Sequence, residues 1–160
     1  MGSISELISA LICRNAQNSK KMEEFEIAHF ELSDRGKLVR IEPLHSLSNT
    51  AENDWDNHWI NTRVILKAGG FSGKYEAEFM AFDFHKFKTE LNALYFDLAG
   101  NAWFSDLEGY VDLKIKGDGI GHFEVKVSAT DYPGIEENRL SFHYTTLQQK
   151  FESHKVLRAK

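Results

Sequence analysis

The sequence predicts an α+β fold: a mostly antiparallel meander sheet packed on one long central helix, with short N- and C-terminal helices. Strand periodicity with one wet face runs from Trp59 to Phe79 and returns between Val111 and Tyr144. Between these stretches, residues 83–98 switch to helical spacing. Glycine turns separate neighbouring strands at Gly69-Gly70 and at Gly117-Asp118-Gly119.

The chain has 160 residues, the size of one domain with one core. Residues 1–22 read as an N-terminal helical extension, because Ile4, Leu7, Ile8, Leu11 and Ile12 recur at helical spacing behind Ser3 or Ser5 as a cap. No positive charge precedes this stretch and no small-residue cleavage site follows it, so it does not read as a signal peptide. Met22 offers an alternative start that would make the segment dispensable. Residues 23–160 then form a single α+β domain.

Within that domain, Phe25, Ile27 and Phe30 suggest a first strand, and Leu38 and Ile41 a second beyond the turn chemistry of Ser33-Asp34-Arg35-Gly36. Residues 44–54 are polar and irregular, as in a surface loop. In the third strand Ile60, Val64 and Leu66 share one face, while Asn61, Arg63 and Lys67 share the other. In the fourth, Phe71, Tyr75, Ala77 and Phe79 alternate with Lys74, Glu76 and Glu78. The helix over 83–98 presents Phe84, Phe87, Leu91, Leu94, Tyr95 and Leu98 as one stripe, with Asp83 as N-cap and Gly100 as its stop. Val111–Ile115 and Phe123–Val127 form a hairpin, and Leu140, Phe142 and Tyr144 mark another strand. Residues 145–157 read as a terminal helix with Leu147 and Phe151 facing in.

Chemistry is sparse in this sequence. Cys13 is the lone cysteine, so neither an intrachain disulfide nor a cysteine zinc site can form, which suits a reducing, cytoplasmic setting. The seven histidines show no metal-ligand spacing. Asp54, Asp56 and His58 alternate, but read as the polar entry to a strand. Gly117-Asp118-Gly119-Ile120-Gly121 contains GxGxG, yet no helix follows, so a hairpin turn accounts for it better than a dinucleotide site. His122 and His143 fall on polar strand faces and would make a pH-sensitive patch if they were neighbours. The expectation is therefore a protein that is not an enzyme and needs no cofactor and no metal. A net charge of −5 argues against direct nucleic-acid binding, and the short apolar runs argue against a membrane span.

Binding to another protein is the remaining class. Residues 101–137 hold Asp106, Glu108, Asp112, Asp118, Glu124, Asp131, Glu136 and Glu137 against Lys114, Lys116 and Lys126. That excess suits a basic partner, whose approach a complementary field would speed. Trp55, Trp59 and Trp103 are the aromatic anchor candidates. The predicted partner-binding set is thus Trp55, Asp56, Trp59, Trp103, Asp106, Glu108 and Asp112.

Several segments also resemble a known family. They are Trp55-Asp56-Asn57-His58-Trp59-Ile60-Asn61, Gly70-Phe71-Ser72-Gly73 leading into Tyr75-Glu76-Ala77, and the helix from Phe87 to Tyr95 with Leu98. With them go Glu108-Gly109, Gly121-His122-Phe123-Glu124-Val125 and Asn138-Arg139-Leu140-Ser141-Phe142. Together they resemble the WapI-type bacterial immunity proteins over roughly residues 24–150. The resemblance implies a small cytoplasmic protein that binds and neutralises the toxin domain of a polymorphic, contact-dependent system. The toxin that gives the family its name is a tRNA-cleaving nuclease. A small-molecule or peptide binding module is the alternative. No oligomeric state follows from the sequence.

Overall fold

The structure is a computed structural model that describes residues 29–46, 59–134 and 136–149. Among the described residues, eight strands make two four-stranded antiparallel meanders, not the single sheet the periodicity suggests. The first sheet runs in chain order through β1 (Phe30–Asp34), β2 (Lys37–Ser46), β3 (Trp59–Ala68) and β4 (Phe71–Met80). Helix α1 (Ala81–Asp97) leads to the second sheet, β5 (Ala99–Ser105), β6 (Val111–Asp118), β7 (His122–Thr130) and β8 (Arg139–Leu147).

Both sheets contribute to one core. Leu32, Val39, Ile41, Val64, Leu66 and Phe79 come from the first, and Phe104, Leu113, Ile115, Phe123 and Val125 from the second. Phe84, Phe87, Leu91 and Leu94 of α1 complete it. The ring of Phe104 meets those of Phe79, Phe84 and Phe87 edge-on at 5.3–5.5 Å between centroids. That geometry adds to what burial alone contributes. Across the seam, the Tyr144 hydroxyl donates to the Leu32 carbonyl at 3.3 Å. Its burial, reinforced by Asp34, raises the Tyr144 pKa well beyond its ordinary value.

Several expectations need correction. Helix α1 starts two residues before Asp83: Met80 is the N-cap, and Asp83 serves from inside the first turn, its carboxylate accepting the Met80 N–H at 3.2 Å. Burial raises the Asp83 pKa against that bond. The helix stops at Leu98, in the left-handed region with φ 58°, two residues before Gly100. Strand β2 extends to Ser46, through residues expected to be loop. Pro43 lies beyond the reach of β1, which pairs only as far as Ile41, so its missing N–H costs no bond on that side.

β5 has no counterpart among the predicted strands. Only Ala102 and Phe104 on it are buried, and Gly100 reads as a helix stop rather than a strand entry. Residues 145–147 are the end of β8, not the start of a helix: β-branched Thr145 and Thr146 continue the ladder opposite Glu124 and Phe123. Among the described residues α1 is the only helix whose whole span is present. The expected N-terminal helix lies outside the described residues, as do residues 150–157 of the expected C-terminal one.

Candidate functional site

Chain direction sorts the connections into two ends. The tight turns at Arg35-Gly36, Gly69-Gly70 and Gly119-Ile120-Gly121 share one end with the C-terminus of α1. There the Arg35 guanidinium donates to the Thr145 carbonyl at 3.0 Å, and the Gly119 N–H to the Leu98 carbonyl at 2.8 Å. The opposite end gathers the start of α1, residues 106–110, and the β7–β8 loop. The Tyr75 hydroxyl ties the sheets there by donating to the Tyr110 carbonyl at 2.7 Å. Burial, reinforced by the carboxylates of Asp106 and Asp131, pushes the Tyr75 pKa well up.

Asp106 builds the loop at this end. Its Oδ1 accepts N–H bonds from Glu108, Gly109 and Tyr110 at 3.0, 2.7 and 3.0 Å, and its Oδ2 accepts one from Val111 at 2.7 Å. A carboxylate so engaged is an organiser of backbone rather than a free docking charge. Gly109 makes the wrap possible, since its φ of 86° is open to glycine at little cost. What the loop holds out is Leu107, 86% exposed, and Glu108. Tyr110 lies within the electrostatic reach of Glu108, Asp106, Tyr132 and Glu78, and burial leads these in raising its pKa. Tyr132, in the neighbouring loop, is 69% exposed. The loop end is therefore apolar side chains set among carboxylates.

Trp103 and Asp112 meet nearby. The Trp103 indole N–H donates to Asp112 Oδ1 at 2.7 Å. The ammonium groups of Lys114 and Lys86 lie 4.6 and 5.4 Å from the ring centroid. Trp103 is still 43% exposed. Its backbone, on the free edge of β5, is occupied by α1: Glu90 accepts its N–H at 2.8 Å, and Lys86 donates to its carbonyl at 3.4 Å. The side chain is thus fixed before any partner arrives, which lowers the entropy lost on binding.

The structure accordingly joins Trp103 to Asp112 and Asp106 to Glu108. Trp59 stands half-buried at the loop end of β3, opposite Met80. Trp55 and Asp56 lie outside the described residues. Sequence reasoning passed over Leu107 and Tyr132. Their signal was an apolar residue inside turn chemistry, Asp106-Leu107-Glu108-Gly109 and Tyr132-Pro133-Gly134.

The two histidines thought possible neighbours are not. His122 stands opposite Leu147, and His143 opposite Lys126. His122 instead bonds Asp118 at 2.8 Å. The Ile120 N–H, joined by His122, holds the Asp118 carboxyl below its usual range. Among the described residues no cluster of His, Cys, Asp and Glu is placed to hold a metal ion, and no helix is long and apolar enough to cross a membrane.

A scaffold that presents fixed side chains suits a binding protein, and comparison with known families decides which kind. The immunity protein WapI-like family matches residues 29–154, all but the ends of the chain. The chain belongs to this family. No curated protein and no solved structure matches it. Both sheets and the helix of this immunity-family chain lie within the matched span, and so do all seven candidate partner-binding residues.

Proposed function

We propose that this chain binds a cognate toxin domain in the cytoplasm of the cell that makes it, and neutralises the toxin by occupying its surface. It does no chemistry of its own and uses no cofactor. Family membership supports a toxin partner in general. The observation that carries the docking site is the loop end, where Asp106 fixes a loop that displays Leu107 and Glu108 beside Tyr132. An exposed apolar centre ringed by charge is the usual anatomy of a specific interface. The ring is acidic, so the partner surface is basic, as the substrate groove of a nuclease toxin would be.

Co-expression with the toxin domain encoded beside it tests this reading. Growth rescue with a stable complex is the expected result. Toxicity unchanged by a folded chain, with no complex, would overturn the reading, and a thermal shift with a small ligand would then favour the alternative binding module. Within a complex, Glu108→Lys with Glu136→Lys should slow association about tenfold at low salt and less at high salt. Asp106 is left out of this variant because its loss would dismantle the loop itself.

A further inference from the structure

Two meanders have four outer strands, and three of these are guarded. β1 is only five residues long. β4 shows Lys74, Glu76 and Glu78 to solvent. β5 has its Trp103 N–H and carbonyl taken by Glu90 and Lys86. Short length, charge and a covering helix are the usual defences of a sheet edge.

Among the described residues β8 has none of these. It is nine residues long, with no proline, no lysine and no acid, and Arg139 at its start is engaged by Glu137 at 2.8 Å. Its outward backbone groups can be identified. The Asp131 N–H bonds the Asn138 carbonyl, and the Gln148 N–H bonds the Gly121 carbonyl. Even-numbered residues from 138 to 148 therefore face β7, and Arg139, Ser141, His143, Thr145 and Leu147 turn theirs outward. Arg35 takes the Thr145 carbonyl. Among the described residues no hydrogen bond engages the outward backbone of Arg139, Ser141 or His143.

From this geometry we infer that β8 is the edge on which the toxin adds a strand. The inference rests on the immunity reading and names its binding mode. Main-chain bonds at residues 139–143 supply the pairing, and the strand covers Phe142, which the sheet leaves half-buried. The loop end sits where β8 begins, so Asp131, Glu136 and Glu137 flank the site. The complementary occupant is an extended segment bearing lysine or arginine next to its paired residues. Arg35 closes the far half of the edge and confines the pairing to the acidic half.

Proline scanning tests this in the complex. Ser141→Pro and His143→Pro remove outward N–H groups without touching the β7 ladder, whereas Phe142→Pro breaks that ladder. The first two should fold yet lose at least about tenfold in toxin affinity, while Ser141→Ala and His143→Ala bind as the wild type does. Folded proline variants that bind and rescue like the wild type would overturn the inference and leave the immunity reading standing. If the proline variants fail to fold, amide exchange on the wild-type complex decides: protection of the Ser141 and His143 amides supports strand addition, and unchanged exchange overturns it. Absence of rescue and of complex by the wild-type chain would remove the immunity reading, and this mode with it. A concentration-dependent dimer of the free chain, abolished by Ser141→Pro, would assign the edge to a second copy instead of the toxin.

Discussion

The two sheets share a topology and differ in what their outer faces do. On the first, a ladder of ion pairs crosses all four strands: Glu31 with Arg40 at 3.5 Å, Arg40 and Arg63 each with Glu42 at 3.9 Å, and Arg63 with Glu76 at 3.0 Å. That face pairs its charges across the strands, although the Nε atoms of Arg40 and Arg63 are buried without a hydrogen-bond partner. On the second, register sets Trp103, Lys114, Lys126 and His143 in one row, with two lysines directly opposite each other. Like charges in that position are unfavourable; Lys126 is relieved along its own strand by Glu124 at 3.1 Å, and Lys114 by Asp112 at 3.4 Å and by the Trp103 ring of β5, 4.6 Å away. The second sheet also owns the fixed loop at Asp106 and the open edge at β8. On the proposed reading, one meander is the scaffold and the other the working surface.

If that division is right, the core between the sheets should be shared even though the faces are not. Phe104 is the sharpest probe, because rings from β4 and α1 converge on it. Phe104→Ala should cost about 4 kcal/mol, and denaturation should stay a single transition seen alike by fluorescence and circular dichroism. Separate transitions would mean that the sheets are independent units. Gly117→Ala attacks the seam differently. A Cβ there would sit 2.2 Å from the Leu98 carbonyl oxygen, which is backbone and cannot swing aside. About 3 kcal/mol should be lost, because the C-terminal turn of α1 must move off β6. A melting temperature equal to that of the wild type would refute this close approach.

Asp106→Ala separates loop building from docking. It strips acceptors from four backbone N–H groups and should lower stability by about 2 kcal/mol, whereas Glu108→Ala should change it by less than about 0.5 kcal/mol. Equal effects would erase the distinction between the two acids. On the outer faces, Arg63→Ala should cost about 1 kcal/mol by opening the ladder, with less loss at high salt, and Lys126→Ala should cost less than about 0.5 kcal/mol. Urea midpoints of the two variants at low and high salt compare the faces directly. A larger loss for Lys126 would reverse the assignment of scaffold and working sheet.

Legibility in the sequence followed the same physics. β3, β4, β6 and β7 were readable because each has one buried and one wet face, so period two is written in their side chains. The helix was readable from Phe84, Phe87, Leu91 and Leu94. β5 was not, because an edge strand fixed by Glu90 and Lys86 needs little pattern of its own. The split into two sheets was also hidden, since alternation says which face is buried but not against what. The site was half legible. Trp103 and Asp112 were visible as types, but Asp106 counted as free charge because its four N–H partners exist only once the loop has closed.

α1 packs along the edge of β5, and His85 on it allows a small test through pH. The side chain is half-buried; burial, with the nearby Lys88 ammonium helping, lowers its pKa below the ordinary 6.5. The folded state thus prefers the neutral ring. Unfolded chains take up the proton first as pH falls, so stability contributed above pH 6.5 is lost on descent toward the lower folded value. The melting temperature of the wild type should therefore fall faster than that of His85→Gln between about pH 7 and pH 5. His85 is partly open to solvent, which keeps this the smallest of the expected effects. Parallel curves would show that His85 titrates alike in both states, and that the helix face carrying it is wetter than its burial implies.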